Sequence, residues 1–158
     1  MQSKDFYRKL YPLLTQFELI TDSESYDFNC ISHTIGVFDK SYWSTGDENF
    51  WPVKKETTKE CFDLFYEYHG FEKTSLDFSY DSRYIKVALY TNNGIPTHAC
   101  IQYNDIYWES KIGSLGIIRH DLFEIENNRY GQVTQIYKKL KMVNEILFFK
   151  DFIKSKDI

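Results

Sequence analysis

Three stretches between Tyr84 and Ile112 constrain this chain more than any other feature. Tyr84-Ile-Lys-Val-Ala-Leu-Tyr-Thr91, His98-Ala-Cys-Ile-Gln-Tyr103 and Ile106-Tyr-Trp-Glu-Ser-Lys-Ile112 are rich in β-branched and aromatic residues and are parted by Asn92-Asn-Gly-Ile-Pro96 and Asn104-Asp105. Short runs of strand formers joined by Asn-Gly and Asn-Asp turns predict an antiparallel meander. Helical patterns flank it on both sides. Residues 5–16 bring Phe6, Leu10, Leu13 and Leu14 near helical spacing, with a bend at Pro12, and 17–20 reads as extended before a loop over 21–25. Residues 30–36 form a short helix with Asn29 as N-cap and Gly36 as stop, and 57–70 form a longer one opened by a Thr57 capping box. Further helices are expected over 120–126, 131–140 and 144–154. The expected fold class is therefore α+β in one domain over 1–158: N-terminal helices, a central antiparallel meander, C-terminal helices.

Composition narrows the function classes. With 158 residues, 42% of them hydrophobic and 18% aromatic, the chain carries enough apolar surface for a real core and is not a disordered tail. A net charge of −4 with scattered basic residues disfavours a nucleic-acid partner. No apolar run approaches the roughly 20 residues that span a bilayer, and the N-terminus lacks a signal-peptide core, so no membrane partner and a cytoplasmic location are expected. Three cysteines, Cys30, Cys61 and Cys100, are too few for a disulfide framework and fit a reducing compartment. No phosphate loop, dinucleotide fingerprint or zinc-protease motif occurs, so no cofactor is expected.

Cys30 at a helix start is the sharpest chemical feature, because free amide N–H groups and the helix dipole favour a thiolate. His98, downstream on a strand, follows it in an order suited to nucleophile and general base. The group that orients His98 should lie on the next strand. Pairing across Asn104-Asp105 at a residue sum near 209 sets Glu109 and Lys111 on the face of His98, a one-residue slip brings in Ser110 instead, and Gln102 lies two pleats along. The aromatic loop from Tyr42 to Trp51, with Trp43 and Trp51, could wall a substrate cleft. A bland alternative stands beside each assignment: free cysteines are usually small buried hydrophobes, His33 could be a core or rim histidine, His69 a favourable helix-end charge, and His120 a cap of the next helix. Cys30-x-x-His33 with His98-x-Cys100 also offers a Cys2His2 donor set, at a spacing unlike common zinc sites.

Several motifs carry a resemblance: Phe28-Asn-Cys-Ile-Ser-His-Thr-Ile-Gly36, Trp51-Pro52, Lys86-Val-Ala-Leu-Tyr90, Pro96-Thr-His-Ala-Cys-Ile-Gln102, Trp108-Glu-Ser-Lys-Ile-Gly113 and Tyr130-Gly131. Together they resemble a family of small uncharacterised bacterial proteins, a domain of unknown function, over roughly residues 26 to 140. The resemblance points to Asn29, Cys30, Thr97, His98, Gln102, Trp108, Ser110 and Lys111 and implies no activity. More distantly, Asn-Cys at a helix start followed by a His-led strand is similar to the papain-like amidases and peptidases of the CHAP and NlpC types, which implies a papain-like fold and amide cleavage.

The leading expectation is a thiol hydrolase acting on an unidentified amide. Cys30 would be the nucleophile, His98 the base and Glu109 or Ser110 its orienting partner, while Asn29 and the Cys30 amide would assist the oxyanion. The rivals are a non-catalytic interaction or immunity-type module with a protein partner, and a small metal-binding domain.

Overall fold

The computed structural model describes residues 3–46 and 50–141. The elements in chain order are α1 (Lys4–Leu10), β1 (Glu18–Thr21), α2 (Cys30–Thr34), α3 (Lys59–Tyr68), β2 (Glu72–Thr74), β3 (Tyr84–Asn92), β4 (Ile95–Gln102), β5 (Trp108–Lys111), β6 (Ile117–His120) and β7 (Gln132–Leu140). All seven strands join one sheet in the order β1-β6-β5-β4-β3-β7-β2, and every pairing is antiparallel.

This architecture corrects the expected α+β layout. The segment 131–140, expected as a helix, is β7, which pairs with β3 along its whole length and with β2 on its other side. Its pattern misleads for a physical reason. Val133, Ile136, Tyr137 and Leu140 fall at helical spacing, but a bulge between Leu89↔Gln135 and Tyr90↔Val133 shifts the alternation, and covering of both faces buries the neighbours Ile136 and Tyr137. Residues 120–126 likewise form no α-helix: tight turns close through Glu124 N–H to Asp121 O and Glu126 N–H to Phe123 O, with Leu122 and Ile125 as their buried anchors. The expected helix over 144–154 lies outside the described residues. Among the described residues, an antiparallel sheet with three short helices also overturns the papain-like layout.

The elements form where local chemistry directs them. Between β3 and β4, Asn93 and Gly94 both take positive φ, 52° and 80°, the turn that matches strand twist and that Asn-Gly adopts at little cost. Ser3, Asn29 and Thr58 cap α1, α2 and α3 through their side-chain oxygens; on α3 the cap lies one residue beyond the Thr57 expected. α2 ends where Val37 N–H reaches Ser32 O and Gly36 turns to φ +74°.

Each face of the sheet carries its own core. On one, Ala88, Tyr90, Cys100, Trp108, Ile118 and Ile136 pack under α1 and the chain that follows it through Tyr11, Leu14 and Phe17. On the other, Val87, Leu89, Ala99 and Tyr137 meet Cys30 and Ile31 of α2 and Phe62, Phe65 and Tyr66 of α3. Trp51 stacks on Phe65 at 4.3 Å between ring centres, and Trp43 packs edge-on to Phe62. Trp43 and Trp51 therefore build core, and neither lines the two clefts described below.

Candidate functional site

The site lies where β4 and β5 part. Their ladder holds two pairs, Ile101↔Glu109 and Gln102↔Trp108, a residue sum of 210 where the sequence suggested 209. That single step decides which side chains share a face, since a one-residue slip turns every side chain over. Ser110, not Glu109 or Lys111, meets His98. A bulge in the β3–β4 ladder between Tyr90↔His98 and Thr91↔Pro96 precedes His98, and the extra residue, Thr97, ties the strand to the Tyr90 and Tyr130 carbonyls.

His98 Nε2 lies 3.0 Å from Ser110 Oγ, Ser110 Oγ lies 2.7 Å from His120 Nε2, and His120 Nδ1 lies 2.7 Å from Asp121 O. All three side chains are buried. A carbonyl only accepts, so His120 Nδ1 carries a proton and its Nε2 is bare; Ser110 then donates to His120, and His98 Nε2–H donates to Ser110. His98 Nδ1 is left as a bare lone pair, and this atom is buried without a hydrogen-bond partner. Burial above all, with the neighbouring His120 and His33 rings opposing a further positive charge, holds the His98 pKa well below that of a free imidazole, and burial pulls His120 down to about 4. Both rings are neutral near pH 7. The ring of Tyr130 lies flat on His98, 4.2 Å between centres and 7° apart.

Cys30 opens α2, and its side chain belongs to the core on the α2 face, whereas His98 follows Tyr90 and Cys100 on the opposite face. The backbone amides of Ala99, Ile31 and Cys30 favour a thiolate on Cys30, which locates the sulfur against β4 at the residue beside His98. The dominant influence is nevertheless burial, which pushes the thiol up to about 11. The helix start alone does not produce the depressed thiol that its sequence suggested, because α2 is five residues long and closed from water.

The remaining sequence candidates are placed as follows. Asn29 is committed to structure: its Oδ1 accepts from Ser32 N–H and its Nδ2 donates to Tyr42 O, so it holds α2 to the loop. Glu109 bridges His33 Nε2 and Arg119 Nε, both at 2.8 Å. Lys111 donates to the Ser25, Gly113 and Leu115 carbonyls, and its ammonium lies 5.2 Å from the Phe28 ring centre. Gln102 Nε2 donates to Phe78 O, and Trp108 is core. Among the described residues no group of three or more His, Cys, Asp or Glu side chains is arranged to hold a metal, and Cys30, Cys61 and Cys100 are all free and buried. The sequence reading put His120 first as a cap of the next helix and second as a residue near the cleft; the signal for its place beside Ser110 was its spacing from Ser110 across a short turn, Gly113 to Gly116.

A free, buried thiol at the start of α2 and a tautomer-locked histidine on β4, carried on an antiparallel sheet, are the chemically distinctive groups of this fold. The chain belongs to the family described as Domain of unknown function (DUF7689), whose model matches residues 19–138. No curated protein and no solved structure matches it. Among the described residues no helix is long and apolar enough to cross a membrane.

Proposed function

We propose that this protein is a thiol hydrolase that cleaves an amide through Cys30 and His98. The observation that carries the reading is the Asp121 O–His120–Ser110–His98 relay, which fixes the tautomer leaving His98 Nδ1 as the base. In the resting site both partners are neutral. The thiol and Nδ1 are not hydrogen-bonded in the resting site, so this reading requires the β4–β5 seam to open and bring them together; the thiol proton would then pass to Nδ1 as sulfur attacks the carbonyl carbon, and the Nε2–H stays on Ser110. The imidazolium then gives its proton to the departing amine, and water, deprotonated by the same nitrogen, releases the acid from the thioester. Ser110 and His120 are positioning residues. The Cys30 amide is the available oxyanion donor, since the Asn29 side chain is spent on its cap. A cleft of about 660 Å³ between the end of α1 and the loops at 112–115 and 126–130 reaches Tyr11 and Tyr130, and Tyr130 covers His98, so this cleft is the route for substrate.

The test is hydrolysis of a panel of aminoacyl p-nitroanilides together with alkylation by iodoacetamide. Cys30→Ala should abolish hydrolysis, His98→Gln should reduce it at least 100-fold, and Ser110→Ala should lower kcat more than KM. Hydrolysis that survives Cys30→Ala, or alkylation of Cys30 that matches Cys61 and Cys100 and ignores His98, overturns it. The closure of Cys30 and His98 from solvent favours a second reading, a non-catalytic interaction module. Under it, Cys30→Ser and His98→Ala would leave the biological effect intact.

A further inference from the structure

A second cavity, of about 410 Å³, opens on the α2–α3 side of the sheet, away from the 660 Å³ cleft. Its apolar walls are Ile35, Phe38, Phe71, Ile85 and Ile101, and its polar lining is His33, His69, Glu109 and Lys139. These polar groups are unevenly satisfied. Glu109 spends one oxygen on His33 Nε2 and the other on Arg119 Nε. Because a carboxylate only accepts, His33 Nε2 carries the proton it gives to Glu109, and in the neutral tautomer of the ring Nδ1 is the bare acceptor. That atom is buried without a partner although His33 is only 7% exposed, and His69 Nε2 is also buried and unpartnered.

Lys139 supplies the charge. Its stem passes over Gly70, where an added Cβ would lie 3.3 Å from Lys139 Cε, and its ammonium lies 5.7 Å from the Phe71 ring centre. The same charge, after burial, helps to keep His69 neutral. No carboxylate among the described residues pairs with this ammonium. A buried, unpartnered ring nitrogen and a part-exposed ammonium with no carboxylate on it, both on the lining of one cavity, leave hydrogen-bonding and charge demands that water or a complementary ligand must meet.

We propose that this cavity is a binding site for a small apolar carboxylate that also carries an N–H donor, the pattern of an N-acylated hydrophobic amino acid. The carboxylate meets Lys139, the N–H meets His33 Nδ1, and the apolar side chain lies against Phe38, Phe71 and Ile101. The volume suits a molecule of that size. Glu109 repels an anion, but its charge is shared with Arg119, so Lys139 sets the sign of the site. The proposal is independent of catalysis at Cys30.

The probes are N-acetyl-L-phenylalanine and its primary amide, titrated into the full chain by calorimetry and by methyl NMR. The acid should bind at roughly millimolar or better affinity, at least tenfold tighter than the amide. Shifts should fall on Ile35, Ile85 and Ile101. Lys139→Met should bring the acid down to the affinity of the amide, and Cys30→Ala should change neither. Equal affinities for acid and amide in the unmodified protein overturn the site without recourse to any variant. So do the absence of saturable binding and shifts centred on Leu10 and Leu13 of the other cleft.

Discussion

Acidification should destabilise this protein through its two buried imidazoles before its carboxylates are titrated. Moving from pH 8 to pH 5 is the perturbation. His120 has its pKa lowered from 6.5 to about 4 by burial, and His98 is held well below 6.5 for the same reason. In the unfolded chain both rings take up protons near 6.5, whereas in the folded chain they refuse them until the pH is far lower. Between these limits the unfolded state binds more protons, so stability is highest above pH 6.5 and is lost as pH falls toward the folded pKa. At about 1.4 kcal/mol per pH unit, the His120 gap amounts to about 3 kcal/mol once the pH is below 4, of which about 2 kcal/mol is gone by pH 5. His98 adds to this in the same direction. Domains of this kind are stable by about 5–15 kcal/mol, so the loss is a large share of the total. Urea unfolding followed by tryptophan fluorescence at pH 8, 7, 6 and 5 reads it as a falling midpoint at constant slope. His120→Gln should flatten the curve while lowering the plateau. A midpoint that stays level or rises between pH 8 and pH 5 would show that these rings are not buried and neutral, and the tautomer assignment would fall with them.

Other outcomes are as definite. Ser110→Ala strands the His98 N–H and the His120 lone pair in the core, so stability measured in urea should drop by about 3 kcal/mol, while Ser110→Thr, which keeps the hydroxyl, should recover part of it if the extra methyl is accommodated. Gly131→Ala drives a Cβ into the Thr91 carbonyl oxygen on a backbone with φ +75°; about 1–2 kcal/mol of backbone strain, with the clash added to it, should appear as a lower melting temperature, and a variant as stable as the parent refutes the packing of β7 on β3. Asn29→Ala removes the α2 cap and the tie to Tyr42 and should cost about 1–2 kcal/mol, with faster amide exchange at Ser32. Because burial raises the Cys30 thiol to about 11, iodoacetamide should alkylate Cys30 in the resting protein more slowly at pH 8 than in the unfolded chain, and the opposite order would show an exposed or activated thiolate.

The sequence announced those parts of the fold that depend on neighbouring residues. The Asn93-Gly94 turn, the Asn29 cap and the Gly36 stop each follow from the backbone angles or side-chain oxygen that a single position offers. The strands flanking Asn104-Asp105 were equally legible, but their register was not. Turn residues leave a one-residue choice, and that choice separated Ser110 from Glu109 as the partner of His98. β7 was misread because a bulge and two-sided burial imitate helical spacing, and only pairing with β3 and β2, distant in sequence, settles it. His120 was undervalued for a related reason. Its contact with Ser110 exists only once β6 folds back on β5, which no local pattern in 120–126 reveals.

The two-pair junction between β4 and β5 has a dynamic consequence. A sheet exchanges its amides most readily where the fewest cross-strand bonds must break together, and such local openings need only a fraction of the free energy of global unfolding. Here that seam divides β1, β6 and β5 from β4, β3, β7 and β2, and the Cys30 sulfur is seated against it. The accessibility of the thiol is then a property of how often the seam parts, and a reagent would read the breathing frequency of the sheet before it read the chemistry of the cysteine.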